Sequence, residues 1–116
     1  MSMLGRVVEL HEGELPIAVV EGEIDASNAV EIRDRLRALL TNRSKALVVD
    51  LTSTSYLDSA GVNLLFGLGA ELDQRQQELH LVVPPSSPIA RVISITGLDA
   101  TVPTHARRED ALEHVR

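Results

Sequence analysis

The stretch "YLDSAG", residues 56–61, sets a serine, Ser59, directly after an acid, Asp58, and before two small residues, Ala60 and Gly61. An apolar run, "ALVVDL", leads up to it, and a helix-patterned run, "GVNLLFGLGAEL", leaves it. A lone hydroxyl on a strand-to-helix junction can be a helix cap, a nucleophile or a site of modification. Serine is among the best N-caps, and losing one costs about 1 kcal/mol. Asp58 would add the favourable effect of an acid near a helix N-terminus. A nucleophile elbow also places its serine on such a turn, in the pattern G-x-S-x-G. Here Leu57 stands where the first glycine belongs, and nothing in the sequence brings a base such as His105 near Ser59. Acyl transfer is therefore a poor fit, and no enzyme activity is expected. A second acid, Asp25, lies in "GEIDASN", where a turn aspartate can bond its own backbone.

Other chemistries are quickly set aside. The four histidines, at 11, 80, 105 and 114, share no H-x-x-x-H spacing and fall in different elements. Surface histidines are expected, and no metal site. No G-x-x-x-x-G-K-[ST] phosphate loop occurs, and "GLGAEL" carries only two glycines of a dinucleotide fingerprint, inside a helix. No cofactor is expected. The chain has no cysteine, which excludes disulfides, thiol catalysis and thiolate metal ligation. One Tyr, one Phe and no Trp leave no stacking platform for bases, and a net charge of −6 is the wrong sign for a nucleic-acid footprint. No apolar segment approaches the ~20 residues of a membrane span. The N-terminus lacks a signal-peptide core. A cytoplasmic protein without nucleic-acid or membrane partners is the expectation.

The elements that must position Asp25 and Ser59 follow from periodicity. "RVVEL" (6–10) and "LPIAVVEGEI" (15–24) form a hairpin turning at Gly13, and Gly22 marks a bulge or a close backbone approach. A helix starts near Asn28, which would cap it while Glu31 reaches back; Ala29, Ile32, Leu36, Leu39 and Leu40 supply its apolar stripe. "ALVVDL" (46–51) shows no alternation and fits a central strand buried on both faces. After a "TSTSYLDSAG" connection, Gly61, Leu65, Leu68 and Leu72 repeat at helical spacing, with Gly67 and Gly69 as candidates for tight packing against the sheet. "LHLVV" (79–83) is a fourth strand, Ser87-Pro88 opens a third helix closed by Gly97, "DATVPTH" (99–105) is an edge strand, and "RREDALEHV" is a last helix. All 116 residues make one α/β domain, a small mixed sheet of four to five strands. In such sheets, sites gather at the carboxyl ends of strands, where "GEIDASN" and "YLDSAG" both fall.

Three segments together resemble the anti-sigma factor antagonist, or STAS, family. "VVDLTSTSYLDSAGVNLL" is similar to its signature, "VEGEIDASNAVEIRDRL" to its acidic turn opening the first helix, and "SPIARVISITGLDATVPTHARREDAL" to its ending. The resemblance spans nearly the whole chain in order and spacing. It implies a sheet with helices largely on one side, a phosphoacceptor at Ser59 and a matching turn acid at Asp25. Many members have a second Ser or Thr where this chain has Ala60, which removes a competing acceptor. The implied function is partner switching. The unmodified protein would bind an anti-sigma factor that is also a serine kinase and so free a sigma factor, as in stress responses. Phosphorylation would release it, and a serine phosphatase would reset it. The surface expected to meet the partner comprises Asp25, Ala26, Ser27 and Asn28 on one loop and Asp58, Ala60, Gly61 and Val62 on the other. A monomer is expected, with a weak dimer as the alternative. The competing functional reading is a regulatory subunit of a transporter, or a nucleotide-sensing module.

Overall fold

Residues 4–115 are described by a computed structural model, and they are organised around one long strand. That strand, β2 (Leu15–Ile24), follows β1 (Arg6–Glu12) through a tight turn in which Gly13 takes φ +62°, and the two pair antiparallel. The other edge of β2 is divided. Its Ile17–Val19 half pairs parallel with β3 (Ala46–Asp50), and its Gly22–Ile24 half pairs parallel with β4 (Thr54–Leu57). Next to β3 lies β5 (Glu78–Val82), and next to β5 lies β6 (Thr104–His105), both parallel. Between strands run α1 (Ala29–Ala38), α2 (Ser59–Gln74), α3 (Ala90–Ile95) and α4 (Leu98–Thr101), and α5 (Arg108–His114) follows β6.

The pattern of apolar residues explains the layers. All five residues of β3 are buried, because the sheet is covered on both faces. Leu47 and Val49 join Ala18, Val20, Leu79 and Leu81 beneath Ile32 and Leu36 of α1 and Leu65, Leu68 and Leu72 of α2. Ile89 and Ile93, with Leu98 and Val102, place α3 and α4 on that side too. The opposite face is smaller: Ile17, Val48 and Val82 meet Ala111 of α5, with Leu112 and Val115 alongside. The helices thus lie largely on one side, as the resemblance implied, with α5 as the exception. Burying each such leucine is worth about 1.5–3 kcal/mol, so the larger layer carries most of the stability.

Four details differ from the sequence reading. Among the described residues the sheet has six strands, because "TSYL" is β4 and not part of a connection. Only Thr54 and Leu57 of it are buried, so its polarity hid it; the Thr54 hydroxyl donates to the Val20 carbonyl at 2.8 Å. Residues 98–101 are helix α4 rather than edge strand, because Gly97 at φ +77° reverses the chain and buries Leu98 completely. The strand keeps only Thr104–His105. Helix α3 begins at Ala90, preceded by a turn in which the Ser87 hydroxyl accepts from the Ile89 N–H. Gly22, at φ +90°, sits at a bulge in the β2–β4 register, as expected; a methyl at Gly69 would stand 3.0 Å from Val102 at the end of α4, so its tight contact is with that segment rather than with the sheet. Gly67 faces open space.

Candidate functional site: two loops tied by Asp58

Because β2 and β4 are adjacent and parallel, the loops that leave them emerge side by side. The 25–28 turn follows β2, and the 58–62 segment follows β4. Asp58 joins them. Its Oδ1 accepts from the Ala60 and Gly61 N–H groups at 2.9 and 3.1 Å, and its Oδ2 accepts from the Ala26 N–H across the gap at 3.3 Å. Its own N–H donates to the Ile24 carbonyl at 3.3 Å. With extended backbone (φ −96°, ψ −172°), Asp58 is the N-cap of α2.

Ser59 is therefore the first helical residue and not the cap that its position suggested. An aspartate and a serine in succession are both good caps, and extended geometry at Asp58 decides between them. Ser59 is exposed, and among the described residues no hydrogen bond engages its hydroxyl. Gly61 is small because of packing: a Cβ there would collide with Leu57 Cδ1 and lie 3.1 Å from Ile24 Cγ2. Val62, 5% exposed, is likewise part of the core. Ala60 is half-buried.

The first loop shows a similar division. Asp25 accepts from both the hydroxyl and the N–H of Ser27, and these bonds hold its carboxyl below the usual carboxylate range. Ala26 and Ser27 are exposed. Asn28 is 5% exposed and does not cap α1 with its side chain. Its Oδ1 accepts from the Asp25 N–H at 2.9 Å and its Nδ2 donates to the Glu23 carbonyl at 2.8 Å. The expected pairing of Asn28 with Glu31 is replaced by a clamp on the turn itself. Of the residues singled out from sequence, Asp25, Ala26, Ser27, Asp58, Ser59 and Ala60 form one accessible ridge, while Asn28, Gly61 and Val62 support it from beneath. Two accessible apolar side chains within two residues of the loops were missed: Val30, 60% exposed in the first turn of α1, and Tyr56, 50% exposed near the end of β4. That Tyr56 is the chain's one tyrosine was the available signal.

The histidines are not all surface residues. His80 is 3% exposed; strand register brings His105 to it, and His114 of α5 packs on His105. Among the described residues no group could hold a metal ion, and no helix is long and apolar enough to cross a membrane.

Residues 7–111 match the family model described as "STAS domain". The chain belongs to the STAS-domain family of anti-sigma factor antagonists. This membership makes it a regulatory protein rather than a catalyst. Over 79 residues, this STAS domain is 39% identical to an anti-sigma-B factor antagonist of Listeria monocytogenes, covering 68% of each chain. It is 33% identical to the anti-sigma-B factor antagonist of Staphylococcus aureus over 79 residues, 68% of this chain and 72% of that one. The crystal structure of an anti-sigma factor antagonist from Mycobacterium paratuberculosis superposes on this STAS domain with a TM-score of 0.84 at 28% identity, covering 97% and 94% of the two chains.

Proposed function

We propose that this protein is an anti-sigma factor antagonist whose ridge of Asp25, Ala26, Ser27, Asp58, Ser59 and Ala60 binds an anti-sigma factor with serine kinase activity, and that phosphorylation of Ser59 breaks the complex. The carrying observation is the state of Ser59: an exposed hydroxyl at the head of a helix, flanked by groups already committed to Asp58. A kinase can take its proton and add phosphate without breaking any of those bonds. Phosphate adds about −1.5 to −2 charges. Neither loop, 25–28 nor 58–62, contains a lysine or arginine to neutralise it, and Asp58 and Asp25 are already negative. The added charge would act against any acidic or closely fitted partner surface; a tenfold weakening needs only ~1.4 kcal/mol. Val30 and Tyr56 supply the apolar anchors that a charged ridge alone would lack. A serine phosphatase restores the binding form.

The test is calorimetric titration of the cognate anti-sigma kinase with wild type, Ser59→Ala and Ser59→Asp. Ser59→Ala should bind at least as well as wild type and resist phosphorylation, and Ser59→Asp should bind at least tenfold more weakly with unchanged circular dichroism. Equal affinity of the enzymatically phosphorylated and unphosphorylated protein would refute the switch.

A further inference from the structure

We propose that His80 and His105 form a proton-operated latch that governs how often the C-terminal segment, residues 104–115, opens from the edge of the sheet. It is separate from the Ser59 ridge and acts through the fold, not through partner chemistry.

The segment is lightly attached. On the sheet edge, Leu81 of β5 donates to the Pro103 carbonyl at 2.9 Å, and Val83, just after β5, donates to the His105 carbonyl at 2.8 Å. Beneath Ala111 of α5 lies the smaller core of Ile17, Val48 and Val82, with Leu112 and Val115 at its margin. The Arg108 guanidinium reaches Asp50 Oδ2 at 2.9 Å and holds α5 closed from the other side. A further fastening is a chain of titratable groups. Glu78 Oε1 lies 2.8 Å from His80 Nε2, and His80 Nδ1 lies 2.9 Å from His105 Nε2. His114 of α5 packs on His105 with ring centroids 4.7 Å apart.

These distances assign the protons. A carboxylate only accepts, so His80 must carry hydrogen on Nε2. In the neutral state His80 Nδ1 then accepts, and His105 donates from Nε2. One added proton fits: His80 becomes an imidazolium donating both to Glu78 and to His105, which moves its own hydrogen to Nδ1. A second proton does not fit. It would set two N–H donors face to face at 2.9 Å between stacked cations whose centroids are 5.2 Å apart. The pair therefore has room for one charge while closed and for two when open.

The surroundings agree. His105 is held below the ordinary histidine range by burial first, then by the charges of His80 and His114, with Asp110 of α5 opposing them. Asp73 of α2 and Glu78 line the cleft through which His80 meets solvent. A group that binds its proton more weakly when closed stabilises the closed state above its free pKa of about 6.5, and that stability fades as pH falls. The opening constant should rise by up to about tenfold per pH unit for each proton taken up.

Hydrogen exchange followed by mass spectrometry on the full chain, from pH 7.5 to 5.0 and divided by intrinsic rates, tests the latch. Protection of residues 104–115 should fall below about pH 6.5 while β2 and β3 remain protected, and His105→Gln should remove that pH dependence. An unchanged profile in wild type, or the same fall in a folded His105→Gln, would overturn it. If the variant does not fold, ring-nitrogen NMR on wild type decides: coupled two-step titration of His80 and His105 supports the latch, and two independent single steps refute it.

Discussion

Replacing Asp58 with alanine should cost about twice what a simple cap costs. Alanine removes the acceptor for the Ala60 and Gly61 N–H groups, a loss of about 1 kcal/mol for an N-cap. It also removes a negative charge from the positive end of a 16-residue helix, worth about 0.5 kcal/mol. The bond to Ala26 is long at 3.3 Å, so it contributes at the lower end of the ordinary range, about 0.5 kcal/mol. The total is about 2 kcal/mol, or about 8 °C in Tm for a domain of this size. Asp58→Asn keeps an acceptor and loses the charge, so about 0.5 kcal/mol should suffice. Ser59→Ala should stay within about 0.5 kcal/mol of wild type, because an exposed first-turn hydroxyl with no partner among the described residues has little to lose. Urea titration of the three variants gives the values directly. A Ser59→Ala loss of about 1 kcal/mol beside a silent Asp58→Ala would mean that the serine, not the aspartate, is the cap.

Gly67→Ala should stabilise the protein by about 1 kcal/mol, since a methyl there meets nothing within 4 Å and alanine is the better helix former; thermal unfolding reads it as a rise of about 4 °C. Tyr56→Ala should leave the unfolding midpoint nearly unchanged but weaken binding of the anti-sigma partner by about 2 kcal/mol, measured by calorimetry. For Asp25, the Ser27 hydroxyl and then the Ser27 N–H hold the proton off the carboxyl. Its stabilising contribution should be full above the unfolded value of about 3.9 and be lost as pH falls through the lower folded value. Carbon-13 titration of the carboxyl checks this, and Ser27→Ala should raise the midpoint.

Long apolar patterns carried most of the fold. The two-sided burial of "ALVVD" and the stripe of Leu65, Leu68 and Leu72 appear in the structure as the sequence implies. Strand β4 was hidden because it buries only its first and last residues, and its hydroxyls resemble a loop. At the site, the sequence placed both segments at strand-to-helix junctions, but the strand that leads into Asp58 is the hidden β4 rather than "ALVVDL", and the finer roles were not legible. Whether Asp58 or Ser59 caps is a matter of one residue's backbone angles. Whether Asn28 points along α1 or back onto Glu23 is a matter of side-chain direction. The histidine cluster depends on registers between strands 25 residues apart, which no local spacing reveals.

The divided edge of β2 also bears on how the ridge comes into being as the chain folds. Pairing β2 with β3 closes a loop that contains all of α1, and that closure carries most of the entropic cost. Once it is made, β4 is only three residues away and already aimed along the same edge, with Thr54 N–H bonded back to the Leu51 carbonyl at 3.0 Å. Zippering β4 onto Gly22–Ile24 is then a local event, even though Asp58 and Ala26 lie 32 positions apart. The two loops should gain their mutual alignment in the same kinetic step as the central sheet, leaving the attachment of β6 and α5 to a later one.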